Sequence, residues 1–127
     1  MEARNDRFTL SSDYDLVIVR QRARELARDV GFSPMDQTRL ATAVSEVARR
    51  ALRVGGVIVF QVLWEGPRRG LSCICLLDGP LTEDQELAAA GGRSAVSLED
   101  VGRLVDDFRS QAQPDGTWAI IMRRWLR

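Results

Sequence analysis

The sequence predicts a two-layer α/β sandwich, a mixed and mostly antiparallel sheet with helices packed on one face. Three observations lead there. Two long segments with helical apolar spacing follow one another near the N-terminus, two apolar runs of strand length flank a turn in the middle, and an alternating segment closes the chain. At 127 residues the chain can bury one core, so a single domain spanning 1–127 is expected.

Phe8 to Leu10 can form a short strand. Ser11, Ser12 and Asp13 then offer an N-cap for an amphipathic helix running to Val30, where Gly31 supplies the stop. Ser33 caps the next helix, with Pro34 at its first position and Asp36 three residues after the cap. This helix is expected from about Met35 to Arg53. Leu40, Val44, Val47, Ala51 and Leu52 form its apolar stripe, while Thr42, Glu46, Arg49, Arg50 and Arg53 gather on another side.

Gly55 and Gly56 end the helix, and Val57 to Trp64 is rich in β-branched and aromatic residues, as a strand is. Glu65 to Gly70 has turn composition, and Leu71 to Leu77 completes a hairpin. From Asp78 to Asp100 the pattern breaks into an acidic and then alanine-rich piece framed by glycines, read as the mobile part of the chain with room for a short helix. Leu98, Val101, Leu104, Val105 and Phe108 have the spacing of a further helix, Leu98 to Phe108. Gln113 to Gly116 makes a turn, and Thr117 to Leu126 alternates as a closing strand, giving the order β-α-α-β-β-α-β.

Eighteen basic residues cancel eighteen acidic ones, so no net positive field draws the chain to nucleic acid or to an anionic membrane. No apolar run reaches the length of a membrane span and the N-terminus lacks a secretory segment, which places the expected location in the cytoplasm. Cys73 and Cys75 lie one residue apart in an apolar run and read as small buried core residues rather than a disulfide or a metal site. The chain has no histidine, so any acid–base chemistry must come from carboxylates.

Four stretches, in order and spacing, resemble the RsbT-type switch-protein serine kinases and anti-sigma factors of the GHKL ATPase superfamily: SSDYDLVIVRQRARELARDVGFSPMDQTRLATAVSEVARR, LLDGP, VGRLVDDF and GTWAIIMRRWLR with its terminal Trp125, Leu126 and Arg127. The resemblance implies a Bergerat-type fold, ATP and magnesium as cofactors, and partners drawn from STAS-domain antagonists, PP2C-type phosphatases and sigma factors, in a monomer or homodimer.

The family's helix motif is Ser-Glu-x-Ala-Arg-Asn, whose Glu is the proposed base and whose Asn binds magnesium. Here it reads SEVARR, so the resemblance assigns the base to Glu46 and puts Arg50 where the metal ligand belongs, with Arg49 beside it. A guanidinium has no lone pair for magnesium, though Arg50 can contact phosphate directly. Read by themselves, Glu46 and Arg50 are also an ordinary solvated i,i+4 pair.

The family's adenine motif, Asp-x-Gly-x-Gly, corresponds to LLDGPL. Leu77 takes the adenine-reading place, Asp78 comes one residue late beside Gly79, and Leu81 replaces the second glycine. Asp-Gly-Pro is equally an ordinary turn. The glycine-rich lid corresponds to GGRSAVSLEDV, which keeps Gly91 and Gly92 but sets Glu99 and Asp100 where phosphates would approach, although by themselves both are good first-turn residues of a helix. Thr117 after Gly116 matches the family's Gly-Thr near the adenine-reading carboxylate.

With three of four nucleotide motifs altered, the expected function is a regulator of a bacterial partner-switching stress pathway that binds proteins, with ATP binding reduced or lost. The alternative is an active kinase that uses Glu46 and phosphorylates a STAS-domain antagonist. The first helix, where Tyr14, Val17, Ile18, Gln21 and Arg24 form a mixed face, is the expected partner surface.

Overall fold

A computed structural model describes residues 5–80 and 97–127. Strand β1, Asn5–Leu10, is followed by helices α1, Asp13–Val30, and α2, Pro34–Val54. Strands β2, Gly56–Glu65, and β3, Arg68–Leu77, form a hairpin, and after the short helix α3, Leu98–Gly102, come β4, Asp107–Ala112, and β5, Trp118–Trp125. The five strands form one sheet in the order β1-β2-β3-β5-β4, and every pairing is antiparallel.

The caps explain the helix boundaries. Ser12 is the N-cap of α1, and the Asp15 carboxylate accepts the backbone N–H groups of Ser11 and Ser12 at 2.8 and 3.0 Å. Those bonds hold the Asp15 carboxyl below the usual carboxylate range. Gly31, at φ 114°, ends α1 in the left-handed region and donates to Ala27 and Arg28, a conformation a side chain would strain. Ser33 then caps α2 by accepting from the Asp36 N–H at 3.2 Å, with Pro34 at the first position.

α1 and α2 pack side by side and lay their apolar stripes on one face of the sheet. Val19, Ala23, Leu26, Leu40, Val44 and Val47 meet Ile58, Phe60, Leu71, Cys73, Cys75, Ile120 and Met122 in a single buried cluster. Cys73 and Cys75 are free thiols on this core face, as the i,i+2 spacing expects. Burial pushes both thiols up, Cys75 to about 12.

One predicted element is corrected. The helix expected from Leu98 to Phe108 stops at Gly102, and β4 takes over from Asp107. The apolar residues are inward as read, since Val101 and Val105 are buried and Phe108 packs on the core, but the period changes partway. Long-range bonds drive the change: the Asp106 N–H donates to the Arg123 carbonyl, and the Trp125 N–H donates to the Asp106 carboxylate at 2.7 Å. β4 is therefore drawn onto β5, with Phe108 opposite Met122. The other boundaries differ from the sequence reading by a few residues, as where the β2–β3 turn tightens to Gly66 and Pro67 because pairing continues to Glu65↔Arg68.

Candidate functional site

Midway along α2, Glu46 and Arg50 form a closed pair. The Arg50 Nη1 donates to the Glu46 carbonyl at 3.0 Å and to its Oε2 at 3.2 Å. The Arg50 side chain is only 2% exposed and that of Glu46 13%, whereas Arg49, whose Nη2 is 3.7 Å from the same carboxylate, is 43% exposed. The solvated polar face and the solvated pair expected from the sequence therefore hold for Arg49 and fail for Arg50. At 100° per residue, Arg50 lies only about 20° from Ala43, which is buried, and about 40° from Glu46, so it sits under the flank of the helix rather than on its outer side.

The consequence for chemistry is direct. The Glu46 carboxylate is held between two guanidinium groups, one of them buried against it. The donor set at position 50 does not fit magnesium, which demands oxygen ligands. Among the described residues no group of three or more His, Cys, Asp or Glu side chains is arranged to hold a metal ion.

The end of β3 is a separate place. Leu77 is buried in the core beside α2, while Asp78, one residue on, is exposed. Asp78 turns over the left-handed Gly55, donating its N–H to the Gly55 carbonyl at 3.1 Å. A Cβ on Gly55 would meet the Asp78 Oδ2 at 2.5 Å, so the glycine makes room for the carboxylate. Asp78 and Thr117 line one cavity of about 370 Å³ together with Arg7, Thr9, Val57 and Leu76. Glu46, Arg49 and Arg50 do not line it, and nine residues of helix separate Glu46 from Gly55, about 13 Å. The Thr117 hydroxyl donates to Asp115 at 2.5 Å rather than to Asp78, which holds the Asp115 carboxyl below the usual range. Gly79 follows Asp78 at the end of the strand, and Gly91 and Gly92 lie outside the described residues.

No family model matches the chain. The serine/threonine-protein kinase RsbT of Bacillus subtilis (strain 168) is 32% identical to it over 126 residues, covering 93% of this chain and 94% of that protein. The chain belongs to the RsbT family.

Within this RsbT-family chain the α1 face is also built as a groove. Tyr14, Val17, Ile18 and Gln21 line a largely apolar cavity of about 290 Å³ with Phe8, and Tyr14 and Val17 are 71% and 53% exposed. Arg24 is not part of that cavity; its Nη1 reaches the Thr38 hydroxyl on α2 at 3.5 Å. Arg22 closes the groove's lower end through Asp6 at 2.5 Å and Glu25 at 3.0 Å, and those acids raise the Arg22 guanidinium above its ordinary value.

Sequence reasoning missed a second buried arginine. Arg124 on β5, 8% exposed, donates to Asp36 at the start of α2 at 2.7 Å and to the Leu104 carbonyl at 3.2 Å. An alternating Arg in a strand carries no signal of which helix start it will meet. No described helix is long and apolar enough to cross a membrane.

Proposed function

We propose that this RsbT-family chain is a regulator of bacterial partner switching that acts mainly by binding other proteins, with ATP binding reduced or lost. The observation that carries the reading is the buried Arg50, which occupies the family's magnesium-ligand position and is bonded back onto Glu46, the family's base position. Leu77 supports it, because an apolar side chain sealed in the core offers the adenine amino group nothing to bond. The fold is read as the single Bergerat-type domain of GHKL proteins, with the nucleotide cleft no longer equipped. Partners are drawn from a STAS-domain antagonist, a PP2C-type phosphatase or a sigma factor, met in the cytoplasm by a monomer or homodimer.

Calorimetric titration of the purified protein with ATP, with and without magnesium, tests this. No saturable heat up to millimolar ATP is expected. A micromolar affinity that depends on magnesium overturns the proposal and promotes the kinase reading, in which Glu46 serves as base toward a serine of the STAS partner. That second reading is favoured by one observation, the kinase name of the Bacillus subtilis relative that matches nearly end to end.

A further inference from the structure

The sheet has a second face. Residues alternating with the core positions of each strand point away from α1 and α2, and the register gathers them into cross-strand rungs. One rung runs Arg7, Val59, Ile74, Ile121, Arg109 from edge to edge. The next runs Thr9, Val57, Leu76, Ala119, Gln111. In both, three apolar residues, half-buried apart from the buried Ala119, occupy the central strands and a polar or charged residue stands on each edge strand. On the other side the strip ends at a polar rung in which Gln61, Ser72, Arg123 and Asp107 lie abreast.

Arg7 and Arg109 are exposed, and among the described residues their side chains make no ion pair or hydrogen bond. Arg123 likewise makes no ion pair there, and its Nε is buried without a hydrogen-bond partner. Arg68, by contrast, is paired with Glu65 at 3.7 Å and stacks over Trp125 at 4.1 Å. Three uncommitted guanidinium groups thus border an apolar strip, against the carboxylates of Asp107 and, at the end of β3, Asp78.

We infer that this face, uncovered among the described residues, docks another protein whose contact surface has an apolar centre flanked by carboxylates. The charge pattern selects that occupant over a second copy of the chain. In a twofold sandwich centred on the strip, Arg7 falls opposite either Arg109 or Arg7 of the other copy, and both arrangements set like charges together. The carboxylates that match Arg7 and Arg109 lie about 19 Å apart, four strand spacings. The size is consistent with exchangeable binding: five strands by three rungs give a footprint on the order of 500 Å² per partner, below the roughly 800 Å² of a stable interface. The assignment rests on the partner-switching reading and is separate from the α1 groove, which lies on the helix side of β1.

The test measures binding of the purified cognate STAS-domain antagonist and of the PP2C-type phosphatase, each in turn, to the parent and to the Arg7→Glu, Arg109→Glu double variant. Circular dichroism melts check that the variant folds, and Arg109→Glu alone serves if it does not. The expected result is an affinity for one of these regulators that falls about tenfold or more on charge reversal, together with loss of the parent's salt sensitivity. Unchanged affinity for every regulator that binds the parent overturns the placement while leaving the partner-switching reading intact. A concentration-dependent dimer of the parent that the double variant abolishes also overturns it, in favour of a second copy. If neither of these regulators nor the cognate sigma factor binds the parent at all, the partner-switching reading falls and this assignment falls with it.

Discussion

Two buried arginines meet α2, one from within the helix and one from β5, and the two do opposite things. Arg50 answers Glu46 one turn away on its own helix, at the two positions that the resemblance assigns to metal ligand and base. Arg124 comes from β5, 88 residues from Asp36 in sequence, and with the Leu104 carbonyl it ties three parts of the chain together. The local pair lies within a single turn of helix. The distant pair has no chemistry, yet it fixes where the last strand meets the start of the helix. A buried ion pair therefore has to be judged by what it joins, because its charges alone are no measure of its value.

The sharpest way to break the comparison is at Glu46. Glu46→Ala leaves a nearly fully buried guanidinium without its carboxylate, and a loss of about 3 kcal/mol is expected, or roughly 10 °C in melting temperature. A thermal melt within 2 °C of the parent, or about 0.6 kcal/mol, would show that the pair is not the buried unit described here.

Arg124→Met should cost less, about 2 kcal/mol, since Met fills the space and Asp36, 29% exposed, still has Arg39 at 3.6 Å. Its distinctive mark is spatial: amide exchange should rise in both the Leu104 turn and the first turn of α2. Exchange confined to β5 would refute the three-way tie.

An alkaline titration reads the core beneath α2. Cys73 and Cys75 stay protonated in the fold while unfolded thiols ionise, so their contribution is complete below about pH 8.5 and is lost as pH rises toward their raised values, near 12 for Cys75. The expected slope is about 1.4 kcal/mol per pH unit for each thiol above pH 9. Urea melts of a Cys73→Ala, Cys75→Ala variant should flatten that slope, while Arg124→Met keeps it.

The smallest effect is expected for Arg50→Asn assayed for kinase activity. It restores the family's residue but leaves Leu77 in the core and Asp78 turned over Gly55, so no phosphate transfer to a STAS partner should appear. Transfer from radiolabelled ATP would mean that position 50 was the sole lesion.

Much of this was legible in advance because it is local. The Ser33 cap with Pro34, the Gly31 stop and the same-face cysteines each depend on residues within a turn or two, and each is where the spacing puts it. The slip at Leu77 and Asp78 was equally readable, since one residue along a strand reverses the face. The depth of Arg50 was not, because a polar residue on the edge of an apolar stripe looks the same whether its flank is covered or open. Nor was β4: five apolar residues at helical spacing satisfied a helix locally, and only the carbonyl of Arg123 and the carboxylate of Asp106 could end it.

Short-range preferences in the chain fix the α/β class, both long helices, the hairpin and the closing strand. These follow from periodicity and caps. Packing settles that Arg50 is buried against Glu46, that Asp78 and Thr117 share a cavity apart from them, that Arg124 binds Asp36, and that arginines unpaired among the described residues border the second sheet face. Each of those depends on which strands lie side by side, and cross-strand neighbours are set by register between segments distant in sequence, where no local preference reaches.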